Sequence, residues 1–357
     1  MTAIRTWLTH PVASDGLRLF RTLFGALMLF ATIRFVWNGW VDELYVAPTF
    51  HFTYLGFDWI RPWGETGMYV HFTLMGLSAF SLMMGVVPRL SALFFGLLFT
   101  YVELLDQATY LNHYYLVSLL SFLLAVVPVG PGGTVGRWTY VTFRCQIAVV
   151  YLFAGIAKIN SDWLWRAEPV HTWLGSFAHF PVVGELLTSS ATAFAMSWAG
   201  ATYDLCIVPL LLCPKTRPYA VAASVFFHLT IWILFPVGIF SWVMLLSITV
   251  FFEPTWPRRV LNIFTNLEKT VTPITHHTAP PPAWLVPILV LHIGLQVALP
   301  LRHLAYRGNV NWTEEGFRFA WRVMLVEKTG QVEYVVETSD GERVRVFPSH
   351  ELSPLQL

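Results

Sequence analysis

Charge is scarce in this chain. Only 12% of its 357 residues are Asp, Glu, Lys or Arg, about half of the quarter that soluble domains carry. That scarcity excludes an ordinary water-facing surface. The 22 basic and 21 acidic side chains nearly cancel, so no electrostatic footprint for nucleic acid is present. Cysteine is equally sparse. Cys145, Cys206 and Cys213 lie in apolar segments and none has CxxC spacing, so neither a disulfide framework nor a thiolate metal site is expected. No HExxH, Walker loop or GxSxG occurs, and His276-His277-Thr278 is a weak metal pattern inside a proline-rich stretch. Redox or acyl chemistry here calls for an organic cofactor that partitions into a membrane, with no metal.

What the chain has in abundance is apolar surface: 55% hydrophobic residues, including 28 Phe and 16 Trp. About nine runs are long enough, or nearly so, to cross a hydrocarbon core. They fall near 17–38, 66–87, 90–105, 114–129, 138–158, 192–213, 217–235, 238–252 and 283–301. The first run lacks a small-residue cleavage site after it and reads as a retained span. The fold expected is an all-α polytopic membrane bundle. The stretch TPITHHTAPPPAW (272–284) cannot be helix interior and is expected to precede a last anchoring helix. After Leu301, WRVMLVEKTGQVEYVVETSDGERVRVF alternates with period two between turn signals at Lys328-Thr329-Gly330 and Ser339-Asp340-Gly341. It predicts about three antiparallel strands outside the bilayer. Two domains follow: residues 1–301 in the membrane and a β-rich tail at 302–357.

Basic residues set the expected orientation. Alternate loops hold Arg5, Arg89, Arg137, Lys215, Arg217, Arg258, Arg259 and Lys269, against Arg61, Lys158 and Arg166 in the opposite set. The first set is expected to be cytoplasmic. The loop 39–65, the segment DQATYLNHYY, the residues after Lys158 and the tail then share the other face.

Ionisable residues inside apolar runs mark candidate chemistry. In YLFAGIAKINSDWLW, Lys158 ends an apolar run and Asn160, Ser161 and Asp162 follow. It is either a snorkelling lysine or a desolvated amine able to act as a general base or Schiff-base nucleophile. Asn112, His113 and Tyr114 open the fourth run, as an aromatic belt or as a proton donor and acceptor near the lysine. Asp204 and His228 lie inside spans. Asp204 is expected to pair with an arginine such as Arg144 as structural glue, or to serve the site. The segment RGNVNWTEEGFRFAWRVM mixes Arg307, Arg318 and Arg322 with Trp312 and Trp321. It suits either an interfacial anchor or a grip on carboxylates. Asn311-Trp312-Thr313 also matches a glycosylation sequon.

Taken in order, four strings resemble vitamin K-dependent gamma-carboxylase and its bacterial relatives, the horizontally transferred transmembrane (HTTM) family. They are ELLDQATYLNHYYL, GIAKINSDWL, FFHLTIWILFPVGIFSWVMLLSITVFFEPTWPRRV and LPLRHLAYRGNVNWTEEGFRFAWRVM. GLRLFRTLFG near the start is a weaker match. The resemblance implies a lyase that uses vitamin K hydroquinone (phylloquinol or menaquinol), O2 and CO2. Oxygenation of the quinol yields its epoxide and a strong base. That base removes a γ-proton from peptidyl glutamate, and CO2 captures the carbanion. It further implies that Lys158 is the initiating base and that His113 is a proton donor oriented by Asn112. Tyr151, seven residues before Lys158, is expected to line the quinone site with His228, Tyr114 and Asp204. Arg307, Asn311, Trp312, Thr313, Arg318 and Trp321 are expected to handle the glutamate substrate. The partners implied are the bilayer, the membrane quinone and a glutamate-containing peptide. The animal enzymes continue into a larger lumenal region, so a short bacterial-type homologue is expected. Its membrane would be the bacterial inner membrane, with a cytoplasmic N-terminus and a periplasmic active face, or the endoplasmic reticulum in a eukaryote. Quinol oxidation without carboxylation, and a transporter or receptor, are the alternatives.

Overall fold

The computed structural model describes residues 2–127, 133–265, 281–328, 330, 332–353 and 356. Most of the 272–284 linker, Lys269 and the central residue of the turn 328–330 lie outside the described residues. The fold is mostly helical. Among the described residues seven helices are long and apolar enough to cross a membrane and two apolar helices are shorter. We number them α1 (Asp15–Trp37), α2 (Glu65–Met84), α3 (Pro88–Leu105), α4 (Asn112–Val126), α5 (Arg137–Ala157), α6 (Ser190–Leu212), α7 (Arg217–Leu234), α8 (Phe240–Ser247) and α9 (Leu285–Leu301). A 3-10 turn, Ile248–Phe251, extends α8. Each of the nine expected apolar runs forms a helix, and the protein is a multi-pass membrane protein. Large apolar side chains point outward, as with Phe226 at 75% exposure and Val290 at 68%. Lipid is the solvent that accepts such a surface.

Contacts divide the chain into two units. The first comprises residues 1–24 and 123–326. Its centre is α5, of which 67% is buried against 17% for α7 and α9. Helix α5 therefore faces protein on most of its surface, with Leu152 and Ile156 exposed, and its protein-facing sides are where polar side chains can be tolerated. A small antiparallel sheet pins its start. Strand β1 (Pro11–Ala13) pairs with β2 (Thr134–Gly136), with Val12 opposite Val135. Nothing in the hydropathy pattern anticipates these two three-residue strands. The Tyr140 hydroxyl donates to the Ala13 carbonyl at 3.0 Å and ties the sheet to α5. Glycine lets α5 and α6 approach closely. A Cβ on Gly155 would stand 2.7 Å from Leu205 Cδ2 and 3.1 Å from the Leu205 nitrogen. Small residues at helix crossings in membranes act this way.

The second unit comprises residues 25–122 and 327–357. Helix α2 ends on Gly85 at φ 75°, with Val86 N–H donating to the Ser81 carbonyl, and Pro88 opens α3. This is a Schellman stop followed by a proline start, and it makes α2 and α3 a tight helical hairpin. Asp106 closes α3. Its carboxylate accepts from the Ala108 N–H at 2.8 Å and the Gln356 amide at 2.9 Å, and lies 3.2 Å from His51 Nδ1. In the tail, β3 (Tyr334–Glu337) pairs with β4 (Arg343–Val346). The sequence predicts about three strands and the described residues form two. Residues 321–326 join the first unit instead, with Trp321 and Leu325 buried. The alternation there reflects packing against helices and not a ladder.

Candidate active site

The end of α5 builds the site. Lys158 caps the helix, its N–H donating to the Gly155 carbonyl at 3.0 Å. Asn160 then starts a short helix, Ser161–Trp165, its side-chain oxygen accepting from the Trp163 N–H at 3.0 Å. The same amide donates to the Ala157 carbonyl at 3.0 Å. This asparagine cap turns the chain sharply and folds Trp163 back against Lys158. The Trp163 indole N–H donates to the Ser197 carbonyl at 2.8 Å, and the Ser197 hydroxyl donates to the Trp163 carbonyl. Helix α6 is thereby clamped to the turn after α5.

Lys158 is buried, and its ammonium meets three electron-rich groups. Nζ lies 2.8 Å from Asp204 Oδ2 and 3.3 Å from the Ala154 carbonyl. It also stands 5.2 Å from the centroid of the Trp163 ring. Asp204 is buried as well. A buried ion pair survives only with good geometry and further hydrogen bonds, and both conditions hold here. The expected Asp204–Arg144 pair does not form. Arg144 donates to the carbonyls of Val250 at 2.8 Å and Phe252 at 3.2 Å, where the 3-10 turn leaves acceptors free. Lys158 is therefore not a snorkelling lysine.

Beside the pair opens a cavity of about 750 Å3, the open space at its mouth included. Tyr151, Lys158, Asp204 and His228 supply most of its polar lining, and Trp163, Trp173, Phe227, Phe235 and Phe240 its aromatic walls. Tyr151 and Lys158, two turns apart, share one face of α5 as the spacing predicts. The Tyr151 hydroxyl lies 3.0 Å from His228 Nε2 and 3.4 Å from the Tyr203 hydroxyl. His228 Nδ1 is buried and has no hydrogen-bond partner among the described residues. Tyr203 escapes the sequence reading because a tyrosine in a span reads as interface belt, and Trp173 because it lies between two apolar runs, in the short helix Val170–Gly175. Proximity of Tyr203 to Asp204 in the chain was the available signal.

The other expected site residues fall elsewhere. Asn112, His113 and Tyr114 belong to the second unit and are not among the residues lining this cavity. His113 is buried with its ring 4.6 Å from that of Tyr114, and Asn112 accepts from the Tyr110 hydroxyl at 3.1 Å. In the segment after α9, Arg307, Trp312 and Thr313 are exposed. Asn311 accepts from Arg322 at 3.2 Å, and the Arg318 carbonyl accepts from Arg302 at 2.6 Å. Trp321 is buried and is not presented to a peptide, while its neighbours Val323 and Met324 line the cavity. Glu314, Phe319, Trp321 and Met324 all take positive φ between 49° and 59°, a strained backbone of the kind found at functional sites. Among the described residues no three His, Cys, Asp or Glu gather as metal ligands.

The sequence profile of the HTTM domain matches residues 9–256. The chain belongs to the HTTM domain family. The profile of the vitamin K-dependent gamma-carboxylase lumenal domain matches residues 282–357. No solved structure matches the chain. The cavity pair Lys158–Asp204 lies wholly within the HTTM match, and the cavity-lining residues Val323 and Met324 within the lumenal-domain match.

Proposed function

We propose that this protein is a membrane-embedded gamma-carboxylase-like enzyme whose cavity takes a reduced naphthoquinone, with O2 and CO2 as co-substrates and peptidyl glutamate as acceptor. The observation that carries the reading is the buried Lys158–Asp204 pair in the wall of an otherwise apolar, aromatic cavity. A flat bicyclic diol has apolar faces and polar edges. The walls offer aromatic rings for the faces, and Lys158, Tyr151 and the unpartnered His228 Nδ1 for the edges. The reduced quinone, when bound, supplies through its reaction with O2 the base needed to remove a glutamate γ-proton.

The chain's own groups prepare that step. In its neutral amine form Lys158 accepts a proton at Nζ from a phenolic hydroxyl. Asp204 lies 2.8 Å away and balances the ammonium so formed, which lowers the cost of creating charge in a dry site. The Ala154 carbonyl and the Trp163 ring hold the amine in place. Aromatic walls exclude water that would quench a strong base. His113 and Asn112 are assigned later proton transfers on the family resemblance alone, and Arg307, Asn311, Trp312, Thr313 and Arg318 the glutamate peptide. The reading keeps residues 1–301 as the membrane domain and 302–357 as a tail on the non-cytoplasmic face of a bacterial inner membrane.

The experiment is quinone epoxide formation by the purified protein given reduced naphthoquinone, O2 and bicarbonate, beside Lys158→Ala. Epoxide from the wild type and none from the folded variant is the expected result. Equal turnover by the alanine variant removes Lys158 from the mechanism. Epoxide without γ-carboxyglutamate in added glutamyl peptides makes the protein a quinol epoxidase.

A further inference from the structure

Glycine inside a helix is costly, because it has more backbone freedom to lose than any other residue. In a buried position it is usually explained by a neighbour that needs the room. Among the described residues every buried glycine but one fits that account: a Cβ added to it would stand 3.1 Å or less from another atom. The exception is Gly200, in the interior of α6. It is buried, yet beyond its own helix backbone an added Cβ would meet a single atom within 4 Å, Cζ2 of Trp163 at 3.7 Å. That is an ordinary van der Waals contact. Its φ is not positive either. Neither packing nor backbone conformation therefore calls for glycine here. The free space belongs to the cavity, which Gly200 lines.

Gly200 sits one turn before Asp204 on the same face of α6. Helical side chains lean back over the preceding turn, so the Asp204 carboxylate lies toward the stretch of helix that Gly200 leaves bare. Trp163 borders the same stretch, and its ring centroid is 5.2 Å from Lys158 Nζ. Gly200 thus floors the corner where amine, carboxylate and indole meet. We infer that Gly200 sets the size of the ring system accepted at the Lys158 end of the cavity. With no Cβ there, a fused two-ring diol lies flat against the helix backbone. A branched side chain at this position leaves width for one ring only. This rests on the quinol reading and deepens it, by assigning the residue that selects a naphthalene ring over a benzene ring.

The test measures affinity for two ring sizes, not turnover. The full-length protein in lipid nanodiscs is equilibrated without oxygen with reduced 2-methyl-1,4-naphthoquinone or with reduced trimethyl-1,4-benzoquinone. Bound ligand is read by equilibrium dialysis against empty nanodiscs, which removes lipid partitioning. The quantity compared is the ratio of the two dissociation constants in each protein. Gly200→Val should shift that ratio toward the single ring by about tenfold or more, and Gly200→Ala in the same direction by less. Gly200→Ala should melt no lower than the wild type, because alanine is the better helix former and its methyl meets open space. A lower melting temperature makes the glycine a packing residue and overturns the inference. Ala199→Val adds bulk one residue away at an exposed position and should leave the ratio at the wild-type value. An equal shift in Ala199→Val overturns the inference and leaves the quinol reading standing. So does an unchanged ratio in both folded Gly200 variants, whether affinity for the two rings is kept or falls equally. Binding of neither ring by the wild type overturns that reading and the inference with it.

Discussion

Lys158 Nζ and Asp204 Oδ2 lie 2.8 Å apart in the buried interior between α5 and α6, 46 positions apart in the chain. Neither side chain reaches water to any extent, with side-chain exposures of 8% and 7%. The stability of this part of the fold depends on the two being present together.

Asp204→Ala leaves a buried ammonium without its carboxylate and should destabilise the protein by about 3–5 kcal/mol. Lys158→Met combined with Asp204→Leu removes both charges and should recover most of that loss. Thermal unfolding in detergent across the cycle of single and double variants measures the coupling. A double variant as unstable as Asp204→Ala would show that the pair is not the source of the effect.

Gly155 sets the distance between α5 and α6, and so the reach of Lys158 to Asp204. Gly155→Ala places a methyl against Leu205, 2.7 Å from Cδ2, and should cost about 1–3 kcal/mol through overpacking. Leu205→Ala in the same chain vacates that space and should restore the helix spacing. Recovery of quinol turnover in the double variant, alongside its loss in Gly155→Ala, is the outcome to look for.

Trp163→Phe keeps an aromatic ring beside Lys158 and deletes the indole N–H that reaches the Ser197 carbonyl. The Ser197 hydroxyl still holds the turn through the Trp163 carbonyl. A loss of about 1–2 kcal/mol is expected from the hydrogen bond and the weaker cation–π contact. Melting temperature reports it, and an unaltered melting temperature would show the clamp to be idle.

Asp106 gives the second unit an acid limit. Burial pushes its carboxyl upward, but the His51 ring, the Ala108 N–H and the Gln356 amide favour the carboxylate more and hold it below the usual 3.8. A group with a lowered folded value adds stability above the unfolded value and loses it as pH falls through the folded one. The contribution is therefore complete above pH 3.8 and disappears as the pH drops from there. Amide exchange at Ala108 and Gln107 should accelerate beyond its intrinsic rate only in that acid window. Asp106→Asn should abolish the pH dependence.

Much of this was legible in the chain. Spans followed from hydropathy because lipid imposes length and apolarity on any crossing helix. Lys158, Asp204 and His228 stood out as polar groups in costly places and Tyr151 came from the family resemblance, and the fold brings those four together. What the sequence hid was pairing. Whether Asp204 meets Arg144 or Lys158 depends on which face of α6 meets α5, and that is set by Gly155 against Leu205. Tyr203 hid because a tyrosine in a span looks like any belt residue until its neighbours are known. The missing third strand hid because period-two alternation at 321–326 also suits an irregular segment packed on helices.

The central position of α5 has a consequence for how the protein is made. Its amine emerges from the ribosome 46 residues before the carboxylate that neutralises it, and α5 alone carries Arg137, Arg144, Gln146 and then Lys158 into or beside the hydrocarbon. A lone helix of that kind gains little from lipid. Lys158 must stay hydrated at the membrane boundary while the segment up to α6 is still being synthesised, and sinks only when Asp204 arrives beside it. The most buried of the candidate spans among the described residues is thus one that depends on a helix made after it.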